Sequence, residues 1–342
     1  MDPAQLAQWF KRFGVEAVGA DSPLYAQLSE LIADAPEPLA LAARSAEETP
    51  MVFLAAVHDE LLREPDDELA AYYPTVGGSR APDAGLRAAL ERFCAARDDR
   101  LAATLAARRT QTNETARCAG LLPAFAAVAG GRPLAQIEIG ASAGLNGLWD
   151  HYAYDYDGRA AGDASSPLRI ACALRGPTVP PLDPPPVTWR AGIDLSPVDV
   201  RDPGDVRWLR ACLWPDQPAR RARLDAAVAV ALEHGPVDIR RGDALALLPG
   251  VIESAPAGAP VGVFHTAALA YFTRAQVAEL HALLEGVERD VAWVGGEAAG
   301  VLLGEQRAPG APLEFALSAG RPGRLAQVGR MGHHGGWLEW LG

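Results

Sequence analysis

The first third of the chain repeats apolar residues at helical spacing and offers little that reads as strand. Leu6, Trp9, Phe10 and Phe13 fall on one face behind Asp2-Pro3, an N-cap followed by proline at the first helical position. Ser22-Pro23 opens a second stripe, Leu24, Leu28, Leu31 and Ile32, and Thr49-Pro50 opens a third with Val52, Phe53, Val57 and Leu61. A fourth helix is expected over 82–108 on Leu86, Leu90, Phe93, Leu101 and Leu105. From residue 134 the pattern changes. Short apolar runs rich in Ile and Val alternate with helical stretches, which is how a parallel sheet in an α/β fold reads. Strands are expected at 134–139, 188–195, 237–241, 261–265 and 291–294, with helices at 143–152, 205–213, 219–232 and 274–287. Two further runs, 313–319 and 324–328, flank Gly320-Arg321-Pro322-Gly323 and predict a hairpin, followed by a last strand at 337–341.

This organisation predicts a helical cap domain over residues 1–130. It is followed over 131–342 by a doubly wound, mostly parallel Rossmann-like sheet ending in an antiparallel hairpin. Residues 154–187, with Pro177, Pro180, Pro181 and Pro184-Pro185-Pro186, interrupt the alternation as an inserted loop or small hairpin. Composition narrows function more than fold. The 342 residues, 49% hydrophobic and 22% charged, suffice for one large or two medium cores. A net charge of −12 opposes a phosphate backbone, so no nucleic-acid partner is expected. Lys11 is the single lysine among 31 basic residues, a compositional bias that is discounted as a functional signal.

Cys94, Cys118, Cys172 and Cys212 lie far apart without a C-x-x-C pair, which fits reduced thiols in the cytoplasm better than a zinc or disulfide framework. Lys11-Arg12 follows the first apolar residues, the reverse of a secretory signal. The uncharged stretch 254–273 has the length of a membrane span. Pro256, Gly258, Pro260 and Gly262 break it, so a loop and one buried strand are expected, and no membrane partner.

The candidate chemistry gathers at the ends of the expected strands. The first ends in Glu138-Ile139-Gly140-Ala141-Ser142-Ala143-Gly144, where glycines let backbone approach a ligand and a following helix would offer unpaired N–H groups. Asp194 and Asp243 close the next two strands, and in an open α/β sheet such turns converge on one crevice. At these residues the chain resembles class I S-adenosylmethionine-dependent methyltransferases. That resemblance implies S-adenosylmethionine as cofactor and a small or medium polar substrate. Glu138, Gly140, Ser142 and Gly144 would then lie near the methionine part, with Ser142 standing where the family has its middle glycine. Asp194 would take the ribose hydroxyls, and Asp243 with the N–H of Ala244 the adenine edge. A resemblance covering nearly the whole chain is to the bacterial domain of unknown function 2332. It is carried by Gln111-Thr112-Asn113-Glu114 with Arg117, the turn 138–146, Trp208-Leu209 with Trp214-Pro215-Asp216, and Phe264-His265-Thr266.

His265, closing the fourth strand, is the expected general base, the alternative being a half-buried histidine bonded to backbone. Asn113, Glu114 and Arg117 are expected to orient the substrate from above, Arg117 matching a carboxylate or phosphate on it, with His334 also serving the site; the alternative is that Thr112 or Asn113 caps a helix while Glu114 favours its dipole and pairs with Arg117 on the surface. Gly140-x-Ser142-x-Gly144 also spells a nucleophile elbow, and Ser142, Asp243 and His334 keep the chain order of a serine hydrolase triad. A non-catalytic ligand-binding protein is the third reading. No metal is expected, although His265, Glu297 and His334 are a conceivable ligand set.

Overall fold

The computed structural model describes residues 2–19, 22–45, 47, 49–303 and 314–342. In chain order the helices are α1 (Pro3–Gly19), α2 (Pro23–Ala33), α3 (Pro36–Ala42), α4 (Pro50–Arg63), α5 (Leu86–Ala96), α6 (Asp98–Ala107), α7 (Cys118–Ala129), α8 (Pro203–Ala211), α9 (Pro218–His234), α10 (Ala244–Ser254) and α11 (Arg274–Glu285). The strands are β1 (Leu134–Ile139), β2 (Ala153–Tyr156), β3 (Arg159–Gly162), β4 (Arg169–Ala171), β5 (Ala173–Arg175), β6 (Val187–Asp194), β7 (Asp238–Arg241), β8 (Val261–Thr266), β9 (Val291–Ala298), β10 (Glu314–Arg321), β11 (Arg324–Gly332) and β12 (Trp337–Trp340). Leu313, the first residue of the expected hairpin, lies outside the described residues. The chain forms two units. One comprises Met1–Thr112 with Arg201–Ala222, the other Asn113–Val200 with Arg223–Gly342.

In the helical unit, α4 is buried on nearly every side, so each polar residue on it needs a partner. The ring of His58 bonds the carbonyl of Ala211 at 3.1 Å and the Thr75 hydroxyl at 2.6 Å. Asp59 pairs with Arg207 at 2.9 Å and Glu60 with Arg100 at 2.7 Å. The helix expected over 82–108 is two helices, because Arg97 leaves helical geometry (φ −126°, ψ 18°) to stack on Phe93 and pair with Asp67. The division expected at residue 130 also differs. Amphipathic α8 belongs with the helical unit, its Trp208 buried in that core. By contrast α7, apolar almost all round, is part of the sheet unit and lies against β9 and β10.

The sheet unit holds a nine-stranded, mostly parallel sheet in the order β5-β12-β11-β10-β9-β8-β1-β6-β7. Strands β7, β6, β1, β8 and β9 are parallel neighbours, and β10, β11 and β12 follow as an antiparallel meander. Chain order reverses between β1 and β8, which makes that gap the topological switch point. Strand periodicity sorts β1 by face: Ala135, Ile137 and Ile139 enter the core that includes residues of α10 and α11. Gln136 and Glu138 point to the other face. There the Gln136 side chain donates to the Gly147 carbonyl and accepts from Trp149 Nε1, and Trp149 stacks on Phe125 of α7 at 5.0 Å.

Three local expectations change. Residues 143–152 are not an α-helix but a 3-10 turn, Asn146–His151, because the Tyr152 and Tyr154 hydroxyls bind the carbonyls of Leu145 and Trp149 that a helical ladder would use. The helix α10, absent from the expectation, follows Asp243 directly. The segment 154–187 contributes to a small sheet ordered β3-β2-β4 and supplies β5, which pairs parallel with β12 at the edge of the large sheet.

Candidate functional site

The turn after β1 alternates left-handed residues: Gly140 at φ 72°, Ser142 at 53° and Gly144 at 70°. For Ser142 this costs about 1–2 kcal/mol, since its Cβ crowds the following carbonyl. Three bonds hold it there. Ser142 N donates to Asp194 Oδ2 at 2.8 Å, its Oγ accepts from Asn113 Nδ2 at 2.5 Å, and its carbonyl accepts from Val198 N at 3.0 Å. Across the switch point a Cβ on Gly140 would lie 2.6 Å from Ala268 Cβ, so only glycine allows this approach of the two strand-end turns. Ala267, in the turn after β8, is also left-handed at φ 55°. Of the non-glycine residues with positive φ among those described, Ser142 and Ala267 therefore flank the switch point, and strain of this kind concentrates at working sites.

Neither the Asn113 nor the Glu114 side chain caps a helix. They are buried, 7% and 3% exposed, and join the β1 turn to the loop after β11. Glu114 Oε2 lies 3.4 Å from His334 Nδ1, and its Oε1 lies 3.5 Å from an Arg223 nitrogen. Arg117 donates through Nε to the His333 carbonyl at 2.8 Å, with its guanidinium 5.0 Å above the Phe315 ring. The His333–His334 loop sits so close that a Cβ on Gly335 would meet the Ala116 carbonyl oxygen at 2.1 Å. Asn113, Glu114, Arg117, His334, Ser142 and Asp194 thus form one connected group, as residues far apart in sequence.

Below this layer Glu138 is 1% exposed. Burial pushes its carboxyl well above the usual range, and the charge on Asp194 adds to the effect, while bonds from the Asn146 side chain and Gly147 backbone oppose it. Its Oε2 has no hydrogen-bond partner among the described residues. Asn146 also donates to Thr266 Oγ1 of β8 at 3.3 Å and accepts from Cys118 of α7 at 3.5 Å, so it ties the two strands at the switch point. Asn146 and Thr266 lie in motifs that carried the family resemblance but were given no role of their own, and Arg223 lies among other arginines. All four cysteines are unpaired and buried, and burial pushes the thiols of Cys94, Cys172 and Cys212 up to about 12.

His265 does not join the group. It is fully buried, its Nδ1 lies 2.8 Å from Glu297 Oε1, and Trp293 Nε1 donates to its Nε2 at 3.0 Å. An indole nitrogen can only donate, so Nε2 is an acceptor and Nδ1 carries the proton towards Glu297. Neither nitrogen is left to accept a proton from substrate, which corrects the expectation of a general base. Glu297 Oε1 also accepts from the N–H groups of Ala268 and Leu269, at 2.9 and 3.1 Å. The His265–Glu297 pair therefore braces the left-handed Ala267 turn. His334 pairs with Glu114 instead, and His265, Glu297 and His334 do not form a ligand set: among the described residues no cluster suited to a metal ion occurs.

Asp194 closes β6 with its second oxygen accepting from Ser196 N at 2.7 Å. Asp243 closes β7, is exposed, and caps α10 through Oδ1 and Ala246 N at 3.1 Å; Ala244 behind it is buried. Five strands separate β7 from β11, and His334 faces Glu114, so Asp243 is not the carboxylate partner of that histidine. The 3-10 turn after Gly144 also removes the long helix whose N-terminus was expected to face a ligand. Two surface clefts, about 400 and 580 Å3, lie on the helical unit beside Asp67 and Arg97. Among the described residues no helix is long and apolar enough to cross a membrane. No curated protein and no solved structure matches the chain. Residues 7–340 match the family described as "Uncharacterized protein conserved in bacteria (DUF2332)", and the chain belongs to that family.

Proposed function

We propose that the sheet unit binds S-adenosylmethionine and acts as a methyltransferase on a small or medium polar substrate. One observation carries the reading: Glu138, Asp194 and Asp243 stand at the carboxyl ends of three adjacent parallel strands, β1, β6 and β7, next to the switch point. The order β7-β6-β1-β8-β9 followed by a reversed β10 agrees with the methyltransferase-type arrangement. The residues also fit the cofactor chemically. Glu138 has a buried oxygen in want of a partner, and each Asp194 oxygen, already oriented by one backbone N–H, keeps lone pairs for a ribose hydroxyl. The cofactor would supply an electrophilic methyl on a sulfonium. Glu138, Gly140, Ser142 and Gly144 would hold its methionine part, Asp194 its ribose, and Asp243 with Ala244 its adenine. His334, 34% exposed and oriented by the buried Glu114, takes over the proton-accepting role that His265 cannot fill.

Calorimetric titration with S-adenosylmethionine and S-adenosylhomocysteine tests the reading. Saturable binding is expected, with a stabilisation of about 2.7 kcal/mol at a hundredfold excess over Kd. Asp194→Ala should weaken both ligands. Absence of heat and of any melting shift removes the proposal. The left-handed Ser142 favours a second reading, a serine hydrolase, since an elbow nucleophile sits at such a strained turn. Labelling by a fluorophosphonate that Ser142→Ala abolishes would establish it. Cofactor binding without turnover over a panel of acceptors would leave a ligand-binding protein.

A further inference from the structure

We infer that Arg223 anchors an anionic group, a carboxylate or a phosphate, on the substrate. Arg223 stands on α9 with its side chain 27% exposed, yet its Nε is buried and has no hydrogen-bond partner among the described residues. Its closest carboxylate oxygen, Glu114 Oε1, is 3.5 Å away, well beyond the roughly 2.7–2.9 Å of a charge-assisted bond. Two other arginines of the sheet unit are held closely. Arg289 donates to four carbonyl oxygens between 2.7 and 3.1 Å, and Arg190 bonds both Asp150 and the Gly147 carbonyl. Arg117, the residue expected to grip a substrate anion, instead holds the His333 loop through Nε. With its side chain part-exposed and no partner closer than 3.5 Å among the described residues, the planar fork of Arg223 still has donors to offer.

Its surroundings favour an anion. Arg117, bound to the His333 carbonyl, adds a second guanidinium to the cluster around Glu114 and His334. Glu114 has Arg223 near one oxygen and His334 near the other, and is preceded in the chain by Asn113, the partner of Ser142 in the β1 turn. An anionic substrate gripped there would be presented to the same strand ends that the cofactor reading uses. Naming the substrate class rests on that reading, but the anion site can be measured without the cofactor.

The experiment titrates the full chain with inorganic phosphate and, separately, with acetate, chloride keeping the ionic strength constant. Saturable binding of at least one probe is expected, and the better of the two indicates which anion the substrate carries. Arg223→Gln should weaken it about tenfold or more, the scale of one charge-assisted bond. Should Arg223→Gln fail to fold, Arg223→Lys serves: it keeps the charge, loses the fork, and should still weaken binding about threefold or more. No saturable binding of either probe to the unmutated chain, or equal affinity after substitution, overturns the inference and leaves Arg223 a structural partner of Glu114. S-adenosylhomocysteine affinity, measured in the same variants, should stay within about twofold, because Arg223 belongs to the substrate side. Arg223-dependent anion binding in a protein that ignores S-adenosylhomocysteine would sink the cofactor reading and keep the anion site.

Discussion

Each unit buries one histidine completely, and the two are satisfied in different ways. His58 in the helical unit donates to a carbonyl and accepts from a hydroxyl, both neutral, and burial lowers its pKa to about 4. His265 in the sheet unit donates to a carboxylate that also clamps two backbone N–H groups of a left-handed turn. The helical unit has no left-handed non-glycine residue among those described, whereas Ser142, Asp157 and Ala267 all belong to the sheet unit. Buried polar groups in the helical unit thus close a core. At the strand ends they hold strained backbone in place.

The sharpest way to break this contrast is substitution of the histidines. His265→Ala leaves the buried Glu297 carboxylate without its side-chain donor and strands the Trp293 N–H. It should cost about 3–5 kcal/mol in chemical denaturation. His58→Ala removes only neutral bonds and packing and should cost about 2–3 kcal/mol. Equal losses would mean that the Ala267 brace adds nothing. Proton linkage sharpens the contrast further. Glu138 holds its proton in the fold to a higher pH than in the unfolded chain, so stability falls as pH rises above the ordinary carboxylate range, by at most about 1.4 kcal/mol per pH unit. Glu138→Gln should flatten that descent in denaturation curves taken between acid and alkaline pH. A descent unchanged by the substitution would assign it to other groups. His58 acts in the opposite sense. It is neutral in the fold while the unfolded imidazole takes a proton, so stability is lost as pH falls from about 6.5 to about 4, by roughly 3 kcal/mol at most. Amide exchange in α4 should accelerate over that window, and His58→Gln should abolish the acceleration.

Those elements were legible whose local chemistry and packing agree. β1 was read to the residue, β6 was shifted by one residue, β7 was shortened by one and β8 and β9 were extended; β1, β8 and β9, buried on both faces, are the nearly continuous apolar runs. Helix α10 was not legible, since Pro249-Gly250 inside it reads as a turn while the Asp243 cap and the burial of Leu248, Val251 and Ile252 favour helix. The turn 146–151 mimics a helical stripe, and only the tyrosine hydroxyls of the next strand, invisible to periodicity, decide against it. The hairpin between β2 and β3 carried a signal in Asp157-Gly158, both left-handed as such two-residue turns require. At the site, Asn113, Glu114, Arg117, Ser142, Asp194 and His334 were legible as polar residues at turns and loops, helix capping being the rival use of Asn113 and Glu114. His265 misled because the sequence places it at a strand end but does not reveal that Trp293 and Glu297 occupy both nitrogens.

Amide hydrogen exchange with and without S-adenosylhomocysteine reads out whether the turns after β1, β6 and β7 hold S-adenosylmethionine, as proposed. Exchange should slow at 140–144, 194–196 and 243–244 together, with the α4 amides unchanged. Saturating ligand that leaves these three turns unprotected, or that protects only other segments, would contradict it.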